Sequence, residues 1–233
     1  MKPVAIIQHL ATDGAAYFAV WLQAQDIPFR LFQMHEGDHL PADITQHAGL
    51  CILGGAMSAN DALPYYPALL DQIRLCVDRN IPVIGHCLGG QLMARALGGT
   101  VQASENVEIG WSEMESVHAD AAEWFGPGRF DIFQWHGESF SIPPGATQLL
   151  RGRHCANQAF VVGDRHLGMQ FHCEVDAAKI RYWLQADAAE MAGSSSPGVQ
   201  SSDSILATLD RDLRASQAVA DRIYARWARH LQR

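Results

Sequence analysis

The sequence of 233 residues has no long apolar run and no excess of basic charge. No apolar stretch reaches the roughly eighteen residues that a membrane-spanning helix requires. The formal net charge of −8 disfavours a protein that binds nucleic acid through a general basic surface. The apolar stretch at residues 3–7 becomes polar too soon for a secretory signal peptide, and it fits a buried first strand better.

Cysteine is scarce as well, since there are only five and no two are spaced as C-x-x-C. This disfavours a disulfide framework and a structural zinc site, so we expect reduced thiols and a cytoplasmic location. The sequence also lacks a phosphate-binding P-loop and a dinucleotide-binding glycine fingerprint, and we expect no bound cofactor. The hydrophobic fraction of 48% nevertheless suffices for a large core, which excludes a mainly disordered chain.

Short apolar runs alternate with longer helical patterns in the first hundred residues. Nearly all-apolar runs of this kind are typical of central strands in a parallel sheet, covered on both faces. The order predicts an α/β fold with a doubly wound, mostly parallel central sheet flanked by helices. Between residues 100 and 171 turn signals are denser, and we expect part of the sheet there to be antiparallel. The expected strands are residues 3–8, 29–33, 49–53 and 81–85, and the expected helices are residues 15–25, 66–79 and 88–97.

A stretch rich in serine, glycine and proline divides the chain near its C-terminus. We expect residues 1–192 to form one domain that ends in a helix over Asp176–Glu190, capped by Asp176. Residues 193–204 are predicted to be a linker. Residues 205–233 carry apolar side chains at near-helical intervals, which predicts an amphipathic helix that packs on the same domain or, alternatively, forms an interaction surface.

The most informative segment is a buried strand that leads through Gly85-x-Cys87-x-Gly89 directly into a helix. This is the nucleophile-elbow pattern with cysteine in place of serine. The sharp turn strains the backbone at Cys87, and the two glycines leave the room that it needs. The turn would place the thiol at the carboxyl end of the sheet, beside a helix N-terminus that favours thiolate. It would also direct the backbone N–H of Leu88 at an oxyanion. A buried structural cysteine is the alternative.

A thiol nucleophile needs a histidine to move protons, and usually a carboxylate to fix the tautomer of that histidine. Of the eleven histidines, His172 is the best candidate for this base, because it follows a buried strand and Glu174 comes two residues later. A chance pair of surface residues is the alternative. The intervening Cys173 suggests a metal site with Cys87, but without a wider Cys/His pattern we expect no metal there.

The motifs around Cys87 and His172 resemble, in this order, the signature of class I glutamine amidotransferases. The resemblance covers roughly residues 3–190 and implies the flavodoxin-like fold of that family. It extends to stand-alone members that are similar to the amidotransferase domain of GMP synthase. Further matching segments are residues 53–58, where the family usually reads GGPMS, and residues 108–111, 134–140 and 155–160.

The resemblance implies hydrolysis of the side-chain amide of glutamine through a γ-glutamyl thioester on Cys87, with release of ammonia. His172 would protonate the leaving amine and then activate water, and Glu174 would orient His172. Backbone N–H groups of Gly55 and Leu88 would form the oxyanion hole.

The resemblance also implies where glutamine would be held. Gln91, one helical turn after the nucleophile, would contact the substrate. His136 and Gly137 would line the side of the pocket that receives the α-amino and carboxylate groups. For His136 a purely structural role in a turn at a strand end is an equal alternative.

Three positions depart from the family pattern. His86 stands where an apolar residue is more common, and it could tune the thiol or face outward. Ala56 replaces the usual proline of the oxyanion segment. Cys173 replaces a proline between the histidine and the glutamate, which removes a rigid turn beside the base.

The resemblance ends before any synthetase domain would begin, so activation of an ammonia acceptor would require a synthetase partner protein. Three functions stay open: a glutamine amidotransferase or glutaminase, a γ-glutamyl peptide hydrolase with the same Cys-His-Glu triad, and a catalytically silent scaffold or regulatory subunit. The presence of all three triad residues disfavours the scaffold, but the sequence does not separate the two hydrolases. We expect a small-molecule substrate, and neither nucleic acid nor membrane as a partner.

Overall fold

The computed structural model describes residues 1–232, except for the side chains of Glu190 and Ala192. Within these residues ten strands form one mixed sheet with helices on both faces. The strands are β1 (Val4–Gln8), β2 (Phe29–Gln33), β3 (Gly49–Ile52), β4 (Val83–His86), β5 (Val101–Ser116), β6 (Phe130–Phe140), β7 (Thr147–Gly152), β8 (Ala159–Val162), β9 (His166–Met169) and β10 (Gly198–Val199). The α-helices are α1 (Ala16–Ala24), α2 (Tyr66–Asp78), α3 (Leu88–Ala96), α4 (Ala121–Phe125), α5 (Ala177–Ala186), α6 (Ala188–Gly193) and α7 (Ser202–Ala228).

One half of the sheet is parallel, with β9, β4, β3, β1 and β2 side by side in that order. β1, β3, β4 and β9 are buried along their whole length, because α1 and α7 cover one face and α2 and α3 cover the other. Burial on both faces explains why these strands are almost entirely apolar in sequence. The predicted α/β fold with a central sheet flanked by helices is confirmed, and the sheet as a whole is mixed.

The other half of the sheet is antiparallel. β5 pairs with β6 along most of its length and with β7 near its end, and β7 continues through β8 to β9. β9 therefore joins the two halves, since it is antiparallel to β8 and parallel to β4. This junction is the place where the functional motifs lie.

The helix expected over residues 176–190 is divided into α5 and α6, which meet at Asp187. Asp176 caps α5 as expected, and its side chain accepts a hydrogen bond of 2.8 Å from the backbone N–H of Lys179. The cap fixes the first turn of α5 next to the segment that follows β9.

The segment expected as a linker contains β10, which extends the sheet by pairing in parallel with residues 108–109 of β5. The edge of β5 offers unpaired backbone groups at this position, and Gly198–Val199 satisfies them. α7 begins at Ser202, three residues before the expected start, and its apolar side packs on the same domain through Val219, Ile223 and Trp227. Among residues 1–232, none of the helices combines the length and apolar character needed to cross a membrane.

Candidate active site

The sequence motifs meet at the carboxyl ends of three neighbouring strands. β4 pairs in parallel with β3 on one side and with β9 on the other. Cys87 directly follows β4, His172 lies shortly after β9, and Gly54 lies shortly after β3. A Cβ atom placed on Gly54 would lie 2.8 Å from His172 Cε1 and 3.7 Å from Cys87 Cβ. The three segments therefore converge on one point, as ligand sites in open α/β folds do.

Cys87 forms the sharp turn that the sequence predicts. Its φ of 48° and ψ of −108° lie outside the regions that residues with a Cβ atom favour. A Cβ atom on Gly85 would lie 2.5 Å from the carbonyl carbon of Gly89, and one on Gly89 would overlap the carbonyl oxygen of Ile52. Glycine at both positions lets α3 pack this closely behind the strand.

Cys87 is 6% exposed and lines a cavity. It donates a weak hydrogen bond to the carbonyl oxygen of Trp135 at 3.7 Å, and it accepts one from Gln170 Nε2 at 3.6 Å. Cys87 is also the N-cap residue of α3, where free N–H groups and the helix dipole stabilise negative charge. These surroundings suit a nucleophile better than those of Cys76, which is buried in the apolar core under α2.

His172 and Glu174 form a buried pair, with Nδ1 of the ring 2.8 Å from Oε1 of the carboxylate. Burial alone lowers the pKa of His172, but the charge of Glu174, the neighbouring Cys87 and hydrogen bonds to both raise it to about 10. Burial alone raises the pKa of Glu174, but Lys179 and His172 together hold it well below its usual range. The pair is therefore an imidazolium and a carboxylate at neutral pH.

Lys179 is a charged neighbour that the sequence analysis did not identify. Its Nζ lies 3.2 Å from Glu174 Oε1, 3.0 Å from the carbonyl oxygen of Gly14 and 4.8 Å from the ring centroid of Trp183. The same tryptophan packs edge-on against His172, with the ring centroids 5.0 Å apart. Two signals could have identified Lys179: it is one of only two lysines in the sequence, and the cap at Asp176 predicts that it lies in the first turn of α5.

A cavity of about 590 Å³ opens beside Cys87 and His172. Gly55, Gln91, His136 and Gly137 line it, so the predicted site residues are brought together. Leu88 is the first residue of α3 and is buried directly behind the thiol turn. Lining residues that the sequence analysis did not identify are Asp13, Trp135, Glu138, Tyr182 and Trp183.

Gln91 and Ser58 tie the walls of the cavity together. Gln91 Nε2 donates to the carbonyl oxygen of Glu138 at 3.0 Å and to Gln170 Oε1 at 3.3 Å. The Ser58 hydroxyl donates to the carboxylate of Glu138 at 2.8 Å. The helix α3, the segment around Ser58 and β6 are thus held to one another, and Gln91 contributes to the shape of the wall.

The ring of His136 is fixed between two oxygens. Nδ1 lies 3.1 Å from the carbonyl oxygen of Glu138, and Nε2 lies 3.1 Å from the buried carboxylate of Glu108, which also accepts from Gln158 at 2.7 Å. With Cys155, His136 and Glu108 make up a group of described residues whose ligand atoms lie within 4.8 Å of one another. Hydrogen bonds within the protein already satisfy the His136–Glu108 pair, so this arrangement holds His136 in the cavity wall.

The three departures from the family pattern lie in different surroundings. Ala56 lines the cavity. His86 faces neither the cavity nor solvent, because β4 is covered on both sides, and its Nε2 lies 3.3 Å from the hydroxyl of Tyr224 in α7. The Sγ atom of Cys173 lies 3.3 Å from the same hydroxyl.

Comparisons with known proteins identify the family of this chain. A family model described as glutamine amidotransferase class I matches residues 22–184. The crystal structure of a glutamine amidotransferase from Methylobacillus flagellatus is 45% identical in sequence, with a TM-score of 0.98, and the match covers 100% of this chain and 96% of that chain. A putative glutamine amidotransferase-like protein of Salmonella typhimurium is 26% identical over 199 residues, which are 81% of this chain and 82% of that protein.

The GMP synthase of Thermomicrobium roseum is 36% identical over 129 residues, which are 54% of this chain and 23% of the synthase. The matched part is thus less than a quarter of the synthase's own length. The family model covers more than half of this chain, and it includes Cys87, His172 and Glu174. The chain therefore belongs to the class I glutamine amidotransferase family.

Proposed function

We propose that the protein hydrolyses the side-chain amide of glutamine through a γ-glutamyl thioester on Cys87 and releases ammonia. The observation that carries the proposal is the strained, cavity-facing turn at Cys87 next to a histidine whose Nδ1 is held 2.8 Å from a buried carboxylate. A histidine held through Nδ1 leaves Nε2 to exchange protons with the thiol and the substrate.

The first half of the reaction forms the thioester. With its proton held on Nε2 of His172, the Cys87 sulfur attacks the side-chain carbonyl carbon of glutamine. The carbonyl oxygen becomes an oxyanion bound by the N–H groups of Gly55 and Leu88. The imidazolium of His172 then donates its proton to the nitrogen. The C–N bond breaks, ammonia leaves, and a γ-glutamyl thioester remains on Cys87.

The second half restores the enzyme. His172, now neutral, takes a proton from a water molecule, whose oxygen attacks the thioester carbonyl. The C–S bond breaks, glutamate leaves, and the sulfur of Cys87 is again deprotonated beside the imidazolium of His172, as at the start. Glu174 stays ionised throughout, because Lys179 and His172 keep its pKa low, and it holds the ring in one orientation.

The test compares ammonia and glutamate release from L-glutamine by the wild type and by Cys87→Ala. We expect both products in equal amounts from the wild type and none above background from the variant. Cys76→Ala is the matched control, because the same change there alters only the core under α2. Undiminished hydrolysis by Cys87→Ala would refute the proposal.

The second candidate is hydrolysis of a γ-glutamyl peptide or conjugate by the same triad. The size of the cavity favours it, since about 590 Å³ is within the range of roughly 300–1,000 Å³ that proteins use for ligands much larger than glutamine. Trp135, Trp183 and the half-exposed Tyr182 give the cavity an aromatic wall, which could accommodate an apolar leaving amine.

A γ-glutamyl dipeptide with an aromatic second residue distinguishes the two candidates. Cleavage of the dipeptide without release of ammonia from glutamine would transfer the assignment to the second. If the wild type cleaves neither and iodoacetamide alkylates Cys87 only slowly, the scaffold function becomes the better interpretation.

We further propose that an ammonia acceptor is activated by a partner protein. The relatives include a GMP synthase, which is far longer than the region it shares with this chain. A free Cys87 thiol is required for the chemistry, and a cytoplasm would keep it reduced. Co-purification with a synthetase, followed by glutamine-dependent amination in the mixture, would test this step.

A further inference from the structure

The hydroxyl of Tyr224, in α7, lies between two buried side chains, those of His86 and Cys173. It is 3.3 Å from Nε2 of His86 and 3.3 Å from Sγ of Cys173. All three side chains are fully buried. One hydroxyl group thus connects two strand ends that are 87 residues apart in the sequence.

These two strand ends carry the proposed chemistry. His86 is the last residue of β4 and is bonded directly to Cys87, whereas Cys173 separates His172 from Glu174. The turn that carries His172 and Glu174 is thus tied to α7 through the side chain of Cys173.

The hydrogen bonds can be given a direction. Burial lowers the pKa of His86 to about 4, so its ring is neutral at neutral pH. Burial also raises the pKa of the Cys173 thiol, which therefore keeps its proton. With the histidine proton on Nδ1, the thiol donates to the tyrosine oxygen, and the tyrosine hydroxyl donates to Nε2 of His86. The cluster is then satisfied without any charge.

The ring of Tyr224 is held independently of its hydroxyl. It packs against Phe18 and Trp21 of α1, with centroid distances of 4.8 and 5.6 Å. A phenylalanine at this position would keep the packing and lose only the two hydrogen bonds. The oxygen can therefore be removed without dismantling the interface between α7 and the sheet.

We propose that Tyr224 is a positioning residue of the active site, whose hydroxyl sets the turn that carries Cys87 relative to the turn that carries His172 and Glu174. This inference rests on the proposed function. It makes α7, which lies outside residues 22–184 of the family match, a working part of the site.

The test is Tyr224→Phe, measured against Tyr17→Phe. The Tyr17 hydroxyl donates a hydrogen bond of 2.7 Å from α1 to Asp221 of α7 at an exposed position, so the control removes a bond to the same helix. It keeps the backbone hydrogen bond from Tyr17 to Glu174. We expect Tyr224→Phe to lower kcat about tenfold, with KM changed less than twofold, because small misplacements of reacting groups cost rate rather than binding. Tyr17→Phe should leave both constants unchanged.

Alkylation of Cys87 by iodoacetamide, followed by peptide mass spectrometry, gives a readout that needs no substrate. We expect it to slow several-fold in Tyr224→Phe and not in Tyr17→Phe. In the background His86→Ile with Cys173→Ala, where the hydroxyl has no partner to hold, the Tyr224→Phe change should have less than a twofold further effect.

The outcomes separate the two proposals. Equal kcat and equal alkylation rates for Tyr224→Phe and the wild type would overturn the positioning role, and so would an undiminished effect in the background without His86 and Cys173. Loss of thermal stability with unchanged kcat would also overturn it, since the residue would then be merely structural. If the wild type hydrolyses no substrate, the proposed function fails, but the alkylation rates still decide the role of Tyr224.

Discussion

Two buried histidines, His86 at the end of β4 and His172 shortly after β9, differ in charge: the first is neutral and the second is protonated. His86 is fully buried and His172 is 3% exposed, yet burial lowers the pKa of the first to about 4, while that of the second is raised to about 10. Their immediate partners explain the difference. A carboxylate lies 2.8 Å from His172, whereas His86 faces an uncharged hydroxyl and an uncharged thiol.

The comparison shows that burial disfavours the charged form of both rings and that the partner decides the outcome. Around His172 the charges form a chain, in which Lys179 stabilises Glu174 and Glu174 stabilises the imidazolium. Around His86 the polar groups fix positions without carrying charge. The charged group around His172, beside the cavity, is thus suited to proton transfer. The neutral group around His86, under α7, is suited to holding the neighbouring turns in place.

The largest expected effect comes from Glu174→Gln, which gives His172 a neutral partner like those of His86. We expect kcat to fall by about 10²–10⁴, because the tautomer and charge of the base are no longer held. The pKa of His172 should also fall, which NMR titration of its ring protons would measure. Glu115→Gln is the matched control, since Glu115 pairs with Arg151 and Arg129 on the exposed side of β5.

The same variant should change the dependence of stability on pH. A raised folded-state pKa means that the contribution of His172 is fully present below about pH 6.5 and is lost as pH rises through about 10. The free energy of unfolding of the wild type should therefore decline over this alkaline range, and the decline should shrink in Glu174→Gln. An unchanged decline would show that Glu174 is not the cause of the raised pKa.

Much of this site could be predicted from local sequence. The strained turn follows from glycines that flank Cys87 between a strand and a helix, and Glu174 follows from its place two residues after His172. Gly55, Gln91 and His136 came from the family resemblance, and all of them line the cavity. The fold could also be predicted from local sequence, because buried parallel strands are almost entirely apolar.

The contacts that could not be predicted are those made across long separations. The partner of His86 is 138 residues away, on a helix whose sequence pattern shows an apolar side but not the position where that side docks. The composition of residues 193–204 predicts a linker, whereas the pairing of β10 depends on a free edge of β5 that this composition does not reveal. Ser58 and Glu138 meet for a similar reason, since each is an ordinary polar residue until the fold brings them together.

A smaller effect is expected from Lys179→Met, which leaves His172 as the only ion-pair partner of Glu174 among residues 1–232. Removing one member of a buried ion pair should lower the free energy of unfolding by about 3 kcal/mol, as chemical denaturation would measure. The pKa of Glu174 should rise, since Lys179 is the main cause of its low value. The acid side of the rate profile should therefore move to higher pH.

Lys2→Met is the control for this variant, because it removes the other lysine, which bonds to the carbonyl oxygen of Thr45 far from the site. Equal losses of stability in the two variants would mean that the Lys179–Glu174 pair has no special weight. The charge on His172 would then be explained by Glu174 alone, without a contribution from Lys179.

The smallest effect, on the pH dependence of the free energy of unfolding, is expected from His86→Ile, which removes the neutral histidine. A lowered folded-state pKa means that the contribution of His86 is present above about pH 6.5 and is lost as pH falls towards 4, because the unfolded chain binds the proton first. Between pH 7.5 and 5.5 this amounts to about 1 kcal/mol. Denaturation of His86→Ile should show a decline of the free energy of unfolding towards acid pH that is smaller by this amount.

His166→Gln should behave likewise, since burial also lowers the pKa of His166 to about 4. If only His166→Gln flattens the acid decline, His86 carries a proton in the native state, and the contrast with His172 disappears.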